Sequence, residues 1–227
     1  MRTILGLFTG LVISASAFAF GLGDLTNQEA SGGLKEALTQ GANQAVAMLG
    51  KNDGFLGNDK VKIPLPGALA KGEKLLRTMG MGKQADELIT AMNRAAEAAV
   101  PEAKTLLVDA VKQMSVDDAK KILSGGEDSV TQYFKGKTEN PLTEKFLPIV
   151  RKSMEKVQLA QKYDALAGKA TKLGVVKEED AKMDNYVTRK ALDGLYLMIA
   201  EEEKAIRQNP VGAAGSMAKK VFGALGK

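Results

Sequence analysis

A chain of 227 residues with no cysteine and no histidine excludes disulfides, thiolate nucleophiles, Ser-His-Asp triads and zinc sites built on His or Cys. With 32 Lys and Arg against 27 Asp and Glu, the formal charge is +5. The two signs are interleaved along the chain rather than gathered into a basic tract with aromatic partners, which argues against nucleic acid as a partner. Aromatic residues make up only 5 % of the chain, and β-branched runs are scarce, so a sheet is disfavoured.

Met1 to Ala19 has the three parts of a secretory leader: one cation at Arg2, an apolar run from Ile4 to Ile13, and the small-residue triplets Ala15-Ser16-Ala17 and Ala17-Phe18-Ala19. The apolar run is about ten residues, half of what a membrane-spanning helix needs. Cleavage is therefore expected after Ala19 or at the earlier triplet, leaving 20–227 as a single domain that is periplasmic or secreted. Without a cysteine, no lipoprotein anchor can form.

After the leader, helical spacing predicts a first helix over Gln28 to Leu49, capped by Thr26 or Asn27 and stopped at Gly50. Lys51 to Pro66 reads as an ordered loop pinned by Phe55 and Leu56, with Ile63-Pro64-Leu65-Pro66 forced into extended geometry. Helices follow over Gly67 to Met79, Lys83 to Val100 and Glu102 to Met114. Ser115 and Asp118 mark the cap of a short helix ending near Leu123. Gly125-Gly126 then separates it from a short helix over Asp128 to Lys135, with longer ones over Leu142 to Val157, Leu159 to Lys172 and Asn185 to Gln208, and a last over Val211 to Leu225. Pro148 is expected to kink its helix or to set the start near Leu147. Ala191 to Ala200 is apolar on nearly every face, which marks residues 185–208 as a central helix. The expected fold is an all-α bundle of roughly nine to ten helices packed around it.

The chemistry-bearing residues are few. Asn52-Asp53-Gly54 fails as a calcium loop, because Leu49, Lys51 and Lys60 would stand at ligand positions, so a turn is expected. Ser124-Gly125-Gly126-Glu127-Asp128 offers backbone amides to an anion, but its own carboxylates occupy the positive end of the helix. Asn93, Arg94 and Glu97 form one polar cluster. Arg189 and Asp193 form another, each cation being one turn from a carboxylate. They read either as two intrahelical ion pairs at the core edge or as the two walls of a small polar pocket. No catalytic residue, cofactor or metal is expected.

Several segments occur together in one order: Asp53-Gly54-Phe55-Leu56, Lys62 to Pro66, Met92 to Pro101, Leu123 to Asp128 with Gln132-Tyr133-Phe134, and Tyr186-Val187-Thr188 through Ala191 to Leu195 and Glu201-Glu202-Glu203. This set resembles the bacterial exported proteins catalogued as domain of unknown function 4197. The resemblance implies a helical envelope protein, typically of Gram-negative bacteria, and supplies no activity to carry over. The expected function is a binding or interaction domain, with an unidentified protein or small ligand held in a groove between helices. The alternatives are an enzyme using carboxylate, Arg and Lys groups, or a carrier of a small amphiphile. The final helix is expected to dock on the core rather than make weak contact with an anionic membrane surface.

Overall fold

In the computed structural model, residues 26–126, 128–172, 181–209, 218, 219 and 221 are described, and the expected leader lies outside them. The domain is all-α, with eight α-helices and one short 3-10 turn among these residues and no strand, slightly fewer helices than the sequence predicts.

Helix α1 (Asn27–Leu49) starts in a reciprocal cap: Thr26 Oγ1 accepts from the Glu29 amide (3.2 Å), and the Glu29 carboxylate accepts from the Thr26 amide (3.0 Å). Its buried stripe, Leu34, Ala37, Leu38, Ala42, Ala45 and Leu49, follows the helical period. At Gly50 the chain turns and doubles back beneath the helix end. A Cβ at Gly54 would stand 2.4 Å from the Leu49 carbonyl oxygen, so only glycine permits this approach.

Helix α2 (Gly67–Thr78) is tied to α3 (Gly82–Ala99) by Arg77, which bridges Glu73 at 2.8 Å and Asp86 at 2.7 Å. Half of the inner face of α3 is alanine, letting neighbouring helices come close. A 3-10 turn (Val100–Glu102) holding Pro101 leads into α4 (Ala103–Lys112). Helix α5 (Val116–Ser124) opens in a second capping box, in which Ser115 Oγ accepts from the Asp118 amide and the Asp118 carboxylate accepts from the Ser115 amide.

The separate helices expected over Asp128 to Lys135 and Leu142 to Val157 are one element, α6 (Ser129–Met154), which runs through both Pro141 and Pro148. Its buried residues are Val130, Phe134, Thr138, Leu142, Phe146, Val150 and Met154, one every fourth position. A step of four residues advances the stripe by about 40°, so it winds around the helix and meets different neighbours at each end. Both prolines lie off this stripe, and Pro148 is exposed. Each removes one backbone donor, a loss too small to break a helix packed against α3, α4, α5 and α8.

Helix α7 (Gln158–Lys172) precedes α8 (Met183–Gln208), which packs against α1, α3, α6 and α7. Tyr196 of α8 is buried and its hydroxyl lies 2.9 Å from Thr138 Oγ1 of α6; burial pushes its phenol up to about 12. The expectation of a helix buried all round fails along one line, because Asp193 and Leu197 face solvent. Of the final helix expected over Val211 to Leu225, the described residues 218, 219 and 221 are helical. Ala218 and Val221 are fully buried, and the Ala218 amide donates to Glu36 of α1 (3.3 Å). No helix among the described residues is long and apolar enough to cross a membrane.

Candidate functional site

Asn93, Arg94 and Glu97 lie on the turn of α3 that faces the 50–66 loop. Asn93, fully buried, accepts at Oδ1 from the Ile63 amide (2.8 Å) and donates through Nδ2 to the carbonyls of Ile63 (3.0 Å) and Ile89 (2.8 Å). It thus answers both backbone polar groups of Ile63, as a neighbouring strand would. The extended conformation imposed by the prolines on either side of Leu65 leaves the Ile63 groups no local partner, and the amide of Asn93 matches them.

One turn later, Glu97 Oε1 accepts from two consecutive amides, Phe55 (3.0 Å) and Leu56 (3.1 Å), while Oε2 takes a 2.6 Å hydrogen bond from Arg94. The other end of the Arg94 guanidinium reaches Asp53 (2.7 Å), and these two carboxylates hold the Arg94 cation more firmly protonated than usual. Asp53 adopts a left-handed φ of 62°, which turns the chain so that the next two amides point at Glu97. Phe55, fully buried, then reaches α8, where Gly194 leaves room for it: a Cβ there would stand 2.7 Å from the Phe55 ring. The expected turn at Asn52-Asp53-Gly54 is therefore one corner of a polar clamp. Its function in the fold is to fasten the loop to α3 and α8.

The structure separates the other two expected members. Asp193 is exposed and forms its ion pair with Lys190 (3.3 Å), not with Arg189 as the spacing predicts. The three-residue spacing to Lys190 serves a helix surface as well as the four-residue spacing to Arg189. Arg189 instead packs over the Tyr186 ring at 5.8 Å and lines a cleft between α6 and α8. The two groups do not face each other across a shared pocket: the cleft that Arg189 lines includes neither Asp193 nor any of Asn93, Arg94 and Glu97.

A second buried cluster escaped the sequence reading. Glu203, 4 % exposed, holds Arg207 through 2.9 and 2.8 Å contacts, and Arg207 reaches onward to the Ile122 carbonyl and Ser129 Oγ (both 3.3 Å). This fastens the α5–α6 junction to the end of α8. Burial raises the Glu203 pKa, opposed by Arg207. The four-residue spacing of Glu203 and Arg207 was the available signal, hidden among three consecutive glutamates. At that junction the Ser124 hydroxyl bonds the Lys120 carbonyl and Ser129 bonds Ile122, while Glu127 lies outside the described residues. No group of three or more Asp and Glu among the described residues is arranged to hold a metal ion.

Among the surface hollows, two present polar groups of interest. One, of about 280 Å³, lies between α6 and α8 at Arg189. The other is an open groove of about 780 Å³ between α1 and α4, lined by Ala47 and Val111 together with Lys35, Lys104 and the polar residues of α1. Asn43 presents a buried Oδ1 there that has no protein partner. The sequence signal for this groove is the polar line Thr39, Gln40, Asn43 and Gln44, set off from the apolar stripe of α1.

Fold and clamp together define a class: an all-α domain whose most elaborate polar cluster fastens a proline-bounded loop across its helices. The segments bearing that clamp are among those whose order the sequence reading singled out. The chain belongs to the family described as Protein of unknown function (DUF4197), whose model matches residues 24–223. No curated protein and no solved structure matches it.

Proposed function

We propose that this protein is an exported, non-enzymatic binding domain that works in the periplasm, where its α1–α4 groove takes an extended acidic segment of a partner protein. The observation that carries the reading is the buried, unanswered Oδ1 of Asn43 inside that groove. A buried acceptor calls for a donor, and an extended peptide supplies backbone amides at regular intervals. Lys35 and Lys104 favour acidic side chains on that peptide. The carboxylate lining the groove, Glu36, already receives the Ala218 amide. Export is supported by the order of Arg2, the apolar run and the Ala-x-Ala triplets, and by a family match that begins at residue 24, beyond the leader.

The test is fluorescence anisotropy with a labelled peptide of alternating Glu and Ala, added to the chain purified from the envelope fraction. Reversing Lys35 and Lys104 to Glu is expected to abolish binding, while reversing the exposed Lys74 and Lys162 leaves most of it. Equal loss in the two pairs would mean that the peptide senses only overall charge, and the groove reading would fall. N-terminal sequencing of the same material is expected to begin near Phe20; intact Met1 on cytoplasmic protein would overturn export.

A further inference from the structure

Among the described residues the two most exposed large apolar side chains are Leu75 at 63 % and Met79 at 65 %, well above Leu197 at 41 % and Val116 at 40 %. They are four residues apart, so they lie side by side along α2 and the residue that caps it. None of the described side chains of α2 is buried. The helix rests on α3, where Arg77 braces it, and Leu69 packs inward against the core. The Leu75–Met79 edge is left to solvent.

Two cations border this apolar pair. Lys71 lies one turn before Leu75 on the same face, and Lys74 is its neighbour in sequence. Both are exposed, and neither ammonium forms an ion pair among the described residues. The carboxylates nearest in sequence are already engaged, Glu73 and Asp86 by Arg77 and Glu87 by Lys83. The charge available at the edge is therefore that of Lys71 and Lys74 alone.

Free ammonium groups beside an apolar pair complement a surface that is anionic outside and apolar just beneath, because lysine stems reach out to phosphates while Leu and Met enter between the headgroups. A protein partner fits less well. A stable protein interface covers about 800 Å² on each side, of which two side chains supply a small part, whereas a fluid headgroup layer closes around a small protrusion. We propose that the α2 edge formed by Lys71, Lys74, Leu75 and Met79 rests on an anionic phospholipid surface and holds the domain there by a weak, reversible contact. The edge is separate from the α1–α4 groove, and the contact stands or falls independently of peptide binding there.

Flotation of the mature chain with lipid vesicles tests the assignment. Binding is expected to vesicles of equal parts phosphatidylcholine and phosphatidylglycerol, and binding at least about tenfold weaker to phosphatidylcholine alone. Leu75→Ser with Met79→Ser, and separately Lys71→Gln with Lys74→Gln, should each weaken binding at least about tenfold. Both double variants should keep the thermal midpoint, since all four positions are exposed. Val116→Ser with Leu197→Ser, the other exposed apolar pair, should leave binding intact. The chain has no tryptophan, so Met79→Trp adds a single indole, whose emission should shift to the blue on the anionic vesicles. No binding to those vesicles, or an indole that keeps its emission in water, would overturn the proposal. Binding that survives both α2 double variants would assign the contact to another part of the chain and overturn it equally.

Discussion

Glu97 is the residue on which the loop clamp depends, and Glu97→Ala gives the sharpest test of it. The substitution removes a buried acceptor from two consecutive amides, Phe55 and Leu56, and from Arg94. A buried donor left without a partner costs about 1–3 kcal/mol, and breaking a buried ion pair by deleting one partner costs about 3–5 kcal/mol. The Leu56 amide is only part-buried and Arg94 keeps Asp53, so these costs overlap, and a total of about 3–5 kcal/mol is expected. For a domain of this size that lowers the melting temperature by about 10 °C. Glu97→Gln keeps an oxygen for the two amides but sets an NH2 donor against the Arg94 guanidinium in place of an acceptor, so it loses that hydrogen bond with the charge and should cost about 1–3 kcal/mol, less than the Ala variant. Urea unfolding followed by circular dichroism measures both. Native-state hydrogen exchange should show Phe55 and Leu56 losing protection in the Ala variant and keeping most of it in the Gln variant. If the two substitutions cost the same, the amide bonds contribute nothing beyond the charge and the clamp as described is wrong.

Gly194→Ala places a methyl group against the Phe55 ring. Overpacking of about 1–3 kcal/mol should outweigh the gain of about 1 kcal/mol from helix propensity, and the sign should reverse in a Phe55→Leu background, read by thermal melts of the double-mutant cycle. Asp193→Ala, at an exposed position, should change stability by no more than about 0.5 kcal/mol; a larger loss in denaturant melts would place Asp193 in a buried network after all. Because burial raises the folded-state pKa of Glu203 above its ordinary 4.5, the folded chain binds the extra proton, so the contribution of Glu203 is full below 4.5 and is lost as pH rises through the raised value. Wild type should therefore lose stability relative to Glu203→Gln as the pH climbs above 4.5. A difference curve rising in favour of wild type would show that pairing with Arg207 outweighs burial.

The caps, the stop at Gly50, the ordered loop pinned by Phe55 and the Arg94–Glu97 pair were all legible, and each rests on groups close together in sequence. The Thr26–Glu29 and Ser115–Asp118 boxes repeat a three-residue spacing that the chain states outright. α6 looked like two helices because its buried positions recur every fourth residue, a stripe that wraps around the axis and gives no single apolar face. The four-residue spacing pairs Asp193 with Arg189 at the core edge or in a polar pocket, yet the side of α8 that Asp193 occupies faces solvent and its partner is Lys190.

By itself the sequence determined what lies within reach of a turn or two of chain: which segments are helical, where they start and stop, and which charges pair along one helix. The tertiary structure alone decided that Asn93 would serve Ile63, that Asp53 would meet Arg94, that Gly194 would make room for Phe55, and that Leu75 and Met79 would stay exposed. Helical hydrogen bonds find their partners within about four residues, whereas burial belongs to the surface that happens to arrive from elsewhere in the chain, and no local spacing names that surface.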